Sequence, residues 1–264
     1  MSDATGLLEA QAAATRQIVD STVEADFAKD TLGCPGWRVQ DVVAHLTTGA
    51  QVFRGYALET INAANLVEER ARFFAEACAL PAGELKRRFA DTDRQLVETF
   101  GGMSPQELQA MRTHPVFGTV AVSMFLGLRI SELAIHGWDV QSTGDPEARL
   151  EAPALVPVAE RIADAFPGWF VPEKIASMDR AYRFVVGAPV NQDRILTIAD
   201  GRAFWGGDTT QPDATLTLDG GDFLLLMAGR LSSEKLIQSG RARAEGDLGD
   251  ADELSTLFRA YGGR

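Results

Sequence analysis

Apolar residues recur at helical spacing through the first half of the chain and alternate along short segments in the second. Residues 7–27 are alanine-rich, with Leu7, Leu8, Ile18, Val19 and Val23 at helical spacing, which predicts a helix by propensity and period. Gly33-Cys34-Pro35-Gly36 breaks it. A second helix is expected over residues 37–61, with Trp37 packing ahead of its first turn and Asp41 where the helix dipole favours a carboxylate. Its buried stripe is Val39, Val42, Val43 and Leu46, and His45 lies beside that stripe, on its edge or on the inward face. Residues 68–83 are mixed in character and read as a linker, and residues 84–100 form a third amphipathic helix stopped by Gly101-Gly102. Ser104, Pro105 and Glu107 supply an N-cap, a first-position proline and a capping-box carboxylate. A fourth long helix is expected over residues 118–140, apolar on nearly every face, as at the centre of a bundle. His114-Pro115 falls in the loop before it, because the residue before a proline is biased away from helix.

Thr143-Gly144-Asp145-Pro146 ends this region, one more helix follows at 154–166, and past Pro167-Gly168 the apolar period shortens to two. Strands are expected at 182–186, 194–198, 202–205, 214–218 and 241–246, with short helices at 222–228 and 232–237 and a closing helix at 250–261. Gly206-Gly207-Asp208 reads as a loop. The pattern predicts a helical bundle over residues 1–150, followed by a linker helix and an α+β domain over 151–264.

At 264 residues the chain holds two domains more comfortably than one. The longest apolar run, residues 116–135, is interrupted by Arg129 and Glu132, and no charged leader with an apolar segment opens the chain. Together these predict a cytoplasmic protein without a membrane span. A net charge of −12 argues against nucleic acid, which needs clustered Lys and Arg. Cys34 and Cys78 are neither metal-spaced nor a disulfide framework, and both read as reduced. Cys34 has no base near it in sequence, so it reads as a plain loop thiol rather than a nucleophile.

Chemistry concentrates in the fourth helix, where Glu132 and His136 stand one turn apart on one face of an otherwise apolar segment. A buried carboxylate needs a partner. Arg129, three residues earlier, offers a plain ion pair, and that reading stays open on spacing alone. The other reading is a metal. If the second and fourth helices face each other, His45 joins Glu132 and His136 in a set of two histidines and one carboxylate, which leaves coordination positions open for catalysis. Such a set suits zinc but also takes iron(II) or nickel(II). Asp139, three beyond His136, is either placed to orient that histidine through its second ring nitrogen or a plain polar residue at the helix end. The site can lower the pKa of a bound water, as in a hydrolase, or hold a thiol deprotonated.

Pro35-Gly36-Trp37-Arg38-Val39-Gln40-Asp41-Val42-Val43-Ala44-His45-Leu46 resembles the first motif of the mycothiol-dependent maleylpyruvate isomerase family, and Glu132-Leu133-Ala134-Ile135-His136-Gly137-Trp138-Asp139-Val140 is similar to its second. Residues 214–218, Asp222-Phe223 and Gly229-Arg230-Leu231 resemble the sterol-carrier-like domain often fused to that bundle. The resemblance implies a DinB-like four-helix bundle followed by a sterol-carrier-like α+β domain, with His45, Glu132 and His136 as metal ligands. It also implies a mycothiol-type thiol as cosubstrate, used for isomerisation or S-transfer on a small electrophile, with arginines holding substrate carboxylates. Arg54, Arg72, Arg230 and Arg241 are the candidates for that role. The chain departs from the family motif at Arg38, where a Ser or Thr cap is usual, which points to a shifted helix start. Two rival functions remain: a hydrolase using metal-bound water, and a non-catalytic carrier of apolar ligands through the C-terminal domain.

Overall fold

The computed structural model describes residues 2–207, 211–247 and 253–260. It separates into two compact units, one of residues 1–148 with 152–154 and the other of residues 149–151 with 155–264.

The first unit is helical. Its long helices are α1 (Ser2–Ser21), α2 (Val39–Ala57), α3 (Leu66–Cys78), α4 (Ala82–Gly102) and, after the short α5 (Pro105–Leu108) and the hairpin β1 (Met111–His114) and β2 (Gly118–Ala121), α6 (Val122–Gly144). The bundle closes in the ring order α1-α4-α2-α6, and α3 lies against the outside of α2. Leu8, Val19, Val43, Leu46, Phe89, Leu96, Phe125, Leu133 and Trp138 fill its interior. Where α1 meets α6, the Thr15 hydroxyl donates to the Leu133 carbonyl at 3.0 Å. Gly137 leaves room there, since a Cβ on it would still clear the Thr15 side chain by 3.5 Å.

Several boundaries differ from the pattern. Residues 66–78 are a helix rather than a linker: only Leu66 and Ala77 are buried, and Arg72 pairs with Glu69 and Glu76 along the solvated face. The start of the expected fourth helix is instead the second strand of a hairpin, pairing Gly118 with His114 and Ala121 with Met111. His114 is therefore the last residue of β1, and α6 begins at Val122. The second helix starts at Val39, with Arg38 as its N-cap and the Asp41 carboxylate accepting the Arg38 backbone N–H at 2.9 Å. The acidic residue thus supplies the cap that an arginine side chain cannot. The Ser104–Glu107 capping box forms as read.

The second unit packs α7 (Leu155–Ala165), the short α8 (Pro172–Ile175), α9 (Gly220–Met227) and α10 (Ser233–Gln238) with a five-stranded sheet of β3 (Arg180–Val186), β4 (Gln192–Ala199), β5 (Arg202–Trp205), β6 (Ala214–Leu218) and β7 (Ala242–Gly246). The strand order is β5-β4-β3-β6-β7, with β3 and β6 parallel and every other pair antiparallel. Every residue of α9 is buried, and it packs on α7. The side chains of Tyr182, Phe184, Leu196, Leu216 and Phe223 complete the core. In place of the long closing helix, the described residues hold a single turn, α11 (Glu253–Thr256), followed by a bridge from Phe258 to Phe170. Asp208, Asp250 and Tyr261, named in the expected loop and terminal helix, lie outside the described residues. No helix among the described residues is long and apolar enough to cross a membrane.

Candidate metal centre

The side chains that the sequence singles out meet where α2 faces α6. His45 and His136 are both buried, their ring centroids 4.9 Å apart, and His45 Nε2 is 3.6 Å from Glu132 Oε1. The opposite nitrogen of His136, Nδ1, is 2.8 Å from Asp139 Oδ2, and both of those side chains are fully buried. The two side chains are therefore in hydrogen-bonding contact within α6.

The Arg129 reading is only partly realised. Arg129 Nη1 stands 3.7 Å from Glu132 Oε2, too long for a hydrogen bond. The guanidinium donates instead to the Leu46 carbonyl at 2.9 Å and to Asp93 Oδ1 at 2.9 Å. Asp93, fully buried on α4, also accepts from Arg16 of α1 at 2.6 Å, so this network ties all four bundle helices together. Glu132 Oε2 is shielded from solvent and has no hydrogen-bond partner. Burial alone would push the Glu132 carboxyl up. The neighbouring His45, Arg129 and His136 together outweigh it, His45 foremost, and the carboxyl is held below its ordinary range. α2 gives way at this point: a Cβ on Gly49 would come within 2.8 Å of Glu132 Oε2.

A second feature of the site was not legible in the chain. Cys34-Pro35-Gly36-Trp37 forms a tight turn, with the Trp37 N–H donating to the Cys34 carbonyl at 2.9 Å and Gly36 at φ +80°. That positive φ at the third position is the geometry a Pro-Gly turn of type II demands. Thr31 locks the turn from below: its N–H donates to the Trp37 carbonyl at 2.8 Å and its hydroxyl lies against the carbonyls of Cys34 and Trp37. The locked turn lays the Trp37 ring parallel to His136, with centroids 6.4 Å apart, and edge-on to His45 at 5.3 Å. It also buries the Cys34 thiol 3.2 Å from Asp139 Oδ2 and 3.9 Å from His136 Nδ1.

Two donor sets therefore share one histidine. Among the described residues, Cys34, His136 and Asp139 form a group whose donor atoms all lie within 4.8 Å of one another. His45, Glu132 and His136 do not close to that spacing as a set. The chemistry separates the two. In the Cys34 group the close approaches are hydrogen bonds, thiol to carboxylate and carboxylate to imidazole. In the other, a buried carboxylate oxygen has no hydrogen bond, and the nearest cation, the Arg129 guanidinium, stands 3.7 Å away. His45, Glu132 and His136 are nonetheless donors of the kinds that a divalent metal takes.

The four arginines are dispersed. Arg54 lies roughly 14 Å further along α2 than His45, donates to the Thr99 hydroxyl at 3.1 Å, and lines two cavities of about 720 and 790 Å³. Arg72 is exposed and paired with Glu69 and Glu76. In the second unit, Arg230 is buried and donates to the Ala228 carbonyl, while Arg241 is bonded to the buried Asp222.

The fold class is therefore a four-helix bundle, with two histidines and a glutamate brought together on two facing helices, in one chain with an α+β unit. Residues 8–141, about half the chain and including His45, Glu132 and His136, match the model of the mycothiol maleylpyruvate isomerase N-terminal domain, and the chain belongs to that family. Residues 171–259 match the SCP-2 sterol transfer family. Among solved structures, the crystal structure of the mycothiol-dependent maleylpyruvate isomerase is similar with a TM-score of 0.65 at 15% identity, over 94% of this chain and 95% of that one. A histidine-to-alanine mutant of it gives the same TM-score at 14% identity and the same coverage. At these identities the likeness establishes the fold. No curated protein matches.

Proposed function

We propose that the protein is a metal-dependent enzyme that activates a low-molecular-weight thiol of the mycothiol type for isomerisation or S-transfer on a small electrophile. The observation that carries the reading is the convergence of His45, Glu132 and His136 on facing helices, within the segment that defines the family. A bound divalent cation, zinc by donor preference, would supply the positive charge that holds a thiol deprotonated. The chain's own groups then have separable tasks. His45 and His136 present imidazole nitrogens, and Glu132 presents the buried oxygen that has no hydrogen-bond partner. Asp139 holds the proton of His136 on Nδ1, leaving Nε2 available. Trp37 covers the rings and limits water around them. In an isomerase, the thiol sulfur adds to one carbon of a C=C bond, the resulting single bond rotates, and the same C–S bond then breaks. In a transferase the C–S bond remains. Arg54, Arg72, Arg230 and Arg241 stand as the candidates for holding substrate carboxylates, and a cytoplasmic setting suits two cysteines that form no disulfide.

Elemental analysis of the purified chain, paired with turnover in the presence and absence of thiol, tests the reading. About one divalent metal per chain is expected, and the H45A and E132A variants should lose more affinity than the roughly 10–100-fold that an outer partner costs. Full metal content in H45A would remove His45 from the ligand set. Turnover undiminished without thiol would favour the hydrolase, and co-purified lipid with no metal would favour the carrier.

A further inference from the structure

We infer that Cys34 is a positioning residue of this site: its thiol, acting through Asp139, fixes the orientation and the proton of His136. The inference rests on the reading of His136 as a metal-binding side chain and goes one step behind it. Asp139 is fully buried on α6, and its Oδ2 atom is approached by two groups, His136 Nδ1 at 2.8 Å and Cys34 Sγ at 3.2 Å. A buried carboxylate oxygen taking two donors is held in place more firmly than one taking a single donor, because swinging toward either leaves the other unsatisfied. The thiol is no incidental neighbour. The Cys34-Pro35-Gly36-Trp37 turn that delivers it is closed by its own backbone hydrogen bond and pinned by Thr31, and the same turn sets Trp37 parallel to the His136 ring. One rigid loop thus fixes His136 from its face through Trp37 and from its edge through Cys34 and Asp139. With the proton on Nδ1, the lone pair of Nε2 is the one left for a metal.

The test is a set of zinc titrations by chelator competition on wild type, C34A, C34S, D139N and C34A/D139N. D139N is expected to lose about 10–100-fold in affinity, as an outer partner does, and C34A less, roughly 3–10-fold. C34S keeps a donor and should stay near wild type. Because Cys34 acts through Asp139, C34A should add no loss in the D139N background. Wild-type affinity in C34A, or additive losses in the double variant, would overturn the inference. Cobalt(II) substitution without added thiol provides a second arm. No sulfur-to-cobalt charge-transfer band is expected, and a band that disappears in C34A would make Cys34 a ligand instead. The third arm needs no metal: the imidazole Nδ1 proton of His136 should be resolved by NMR in wild type and C34S and exchange-broadened in C34A. If the wild-type chain binds no zinc, the functional reading fails while this arm still decides the role of Cys34.

Discussion

Asp93 and Arg129 are both fully buried and pair at 2.9 Å. Arg16 and the Leu46 carbonyl complete the network, so removing one member strands the others in a dry interior. D93A should therefore cost about 3–5 kcal/mol in stability, the range for breaking a buried pair from one side. Denaturant unfolding of D93A beside wild type measures it, and a loss below about 1 kcal/mol would show that water reaches the network. None of this was readable in the sequence. Asp93 sits in a charged run that looks like a solvated face, and Arg129 suggested only its neighbour Glu132. Cys34 was missed for the same reason, since its partner Asp139 lies 105 residues away. Glu132 and His136 stood out because they interrupt an apolar helix at a helical interval, and His45 because it lies beside an apolar stripe, which is local information. The pairing of His136 with Asp139 was legible on the same grounds, being an i, i+3 contact on one helix.

At the scale of elements, the long amphipathic helices were plain and the two short or solvated ones were not. α3 carries few buried residues, so its pattern is mostly charge pairs, and those look the same in a linker. The β1–β2 hairpin hides at the front of an apolar run that continues into α6, where four residues of strand give too little alternation to detect. Its turn is held by His114, whose Nδ1 accepts the backbone N–H groups of Val116 at 3.1 Å and Phe117 at 3.3 Å. A nitrogen that accepts cannot carry a proton, so the fold requires neutral imidazole. Burial, with the Arg70 charge adding to it, lowers the His114 pKa accordingly. In the window between the folded and unfolded pKa values the unfolded chain binds more protons, so stability falls as pH falls. The stability advantage of wild type over H114A should be constant above about pH 6.5 and shrink below it. Denaturant melts of both proteins across pH 5–8 check this, and an advantage that grew on acidification would mean His114 is held protonated.

Over the whole molecule, the order of a helical half and an α+β half was carried by a change in apolar period, which any packing must respect. The family's two motifs, which carry the resemblance, sit on the two helices that face each other, α2 and α6. Less legible was the filling of the second unit: Phe223, Leu224, Leu225, Leu226 and Met227 are all completely buried, which makes them core. The division into two compact units, each with its own interior, has a calorimetric consequence. Heat absorption on unfolding should not follow a single two-state peak, because two cores need not melt together. Zinc at about 100 times its dissociation constant adds roughly 2.7 kcal/mol to whatever it binds. In a scanning calorimeter that increment should move the component belonging to the helical unit and leave the other in place, and a chelator should reverse it. Metal would then act as a label for which part of the trace is the bundle.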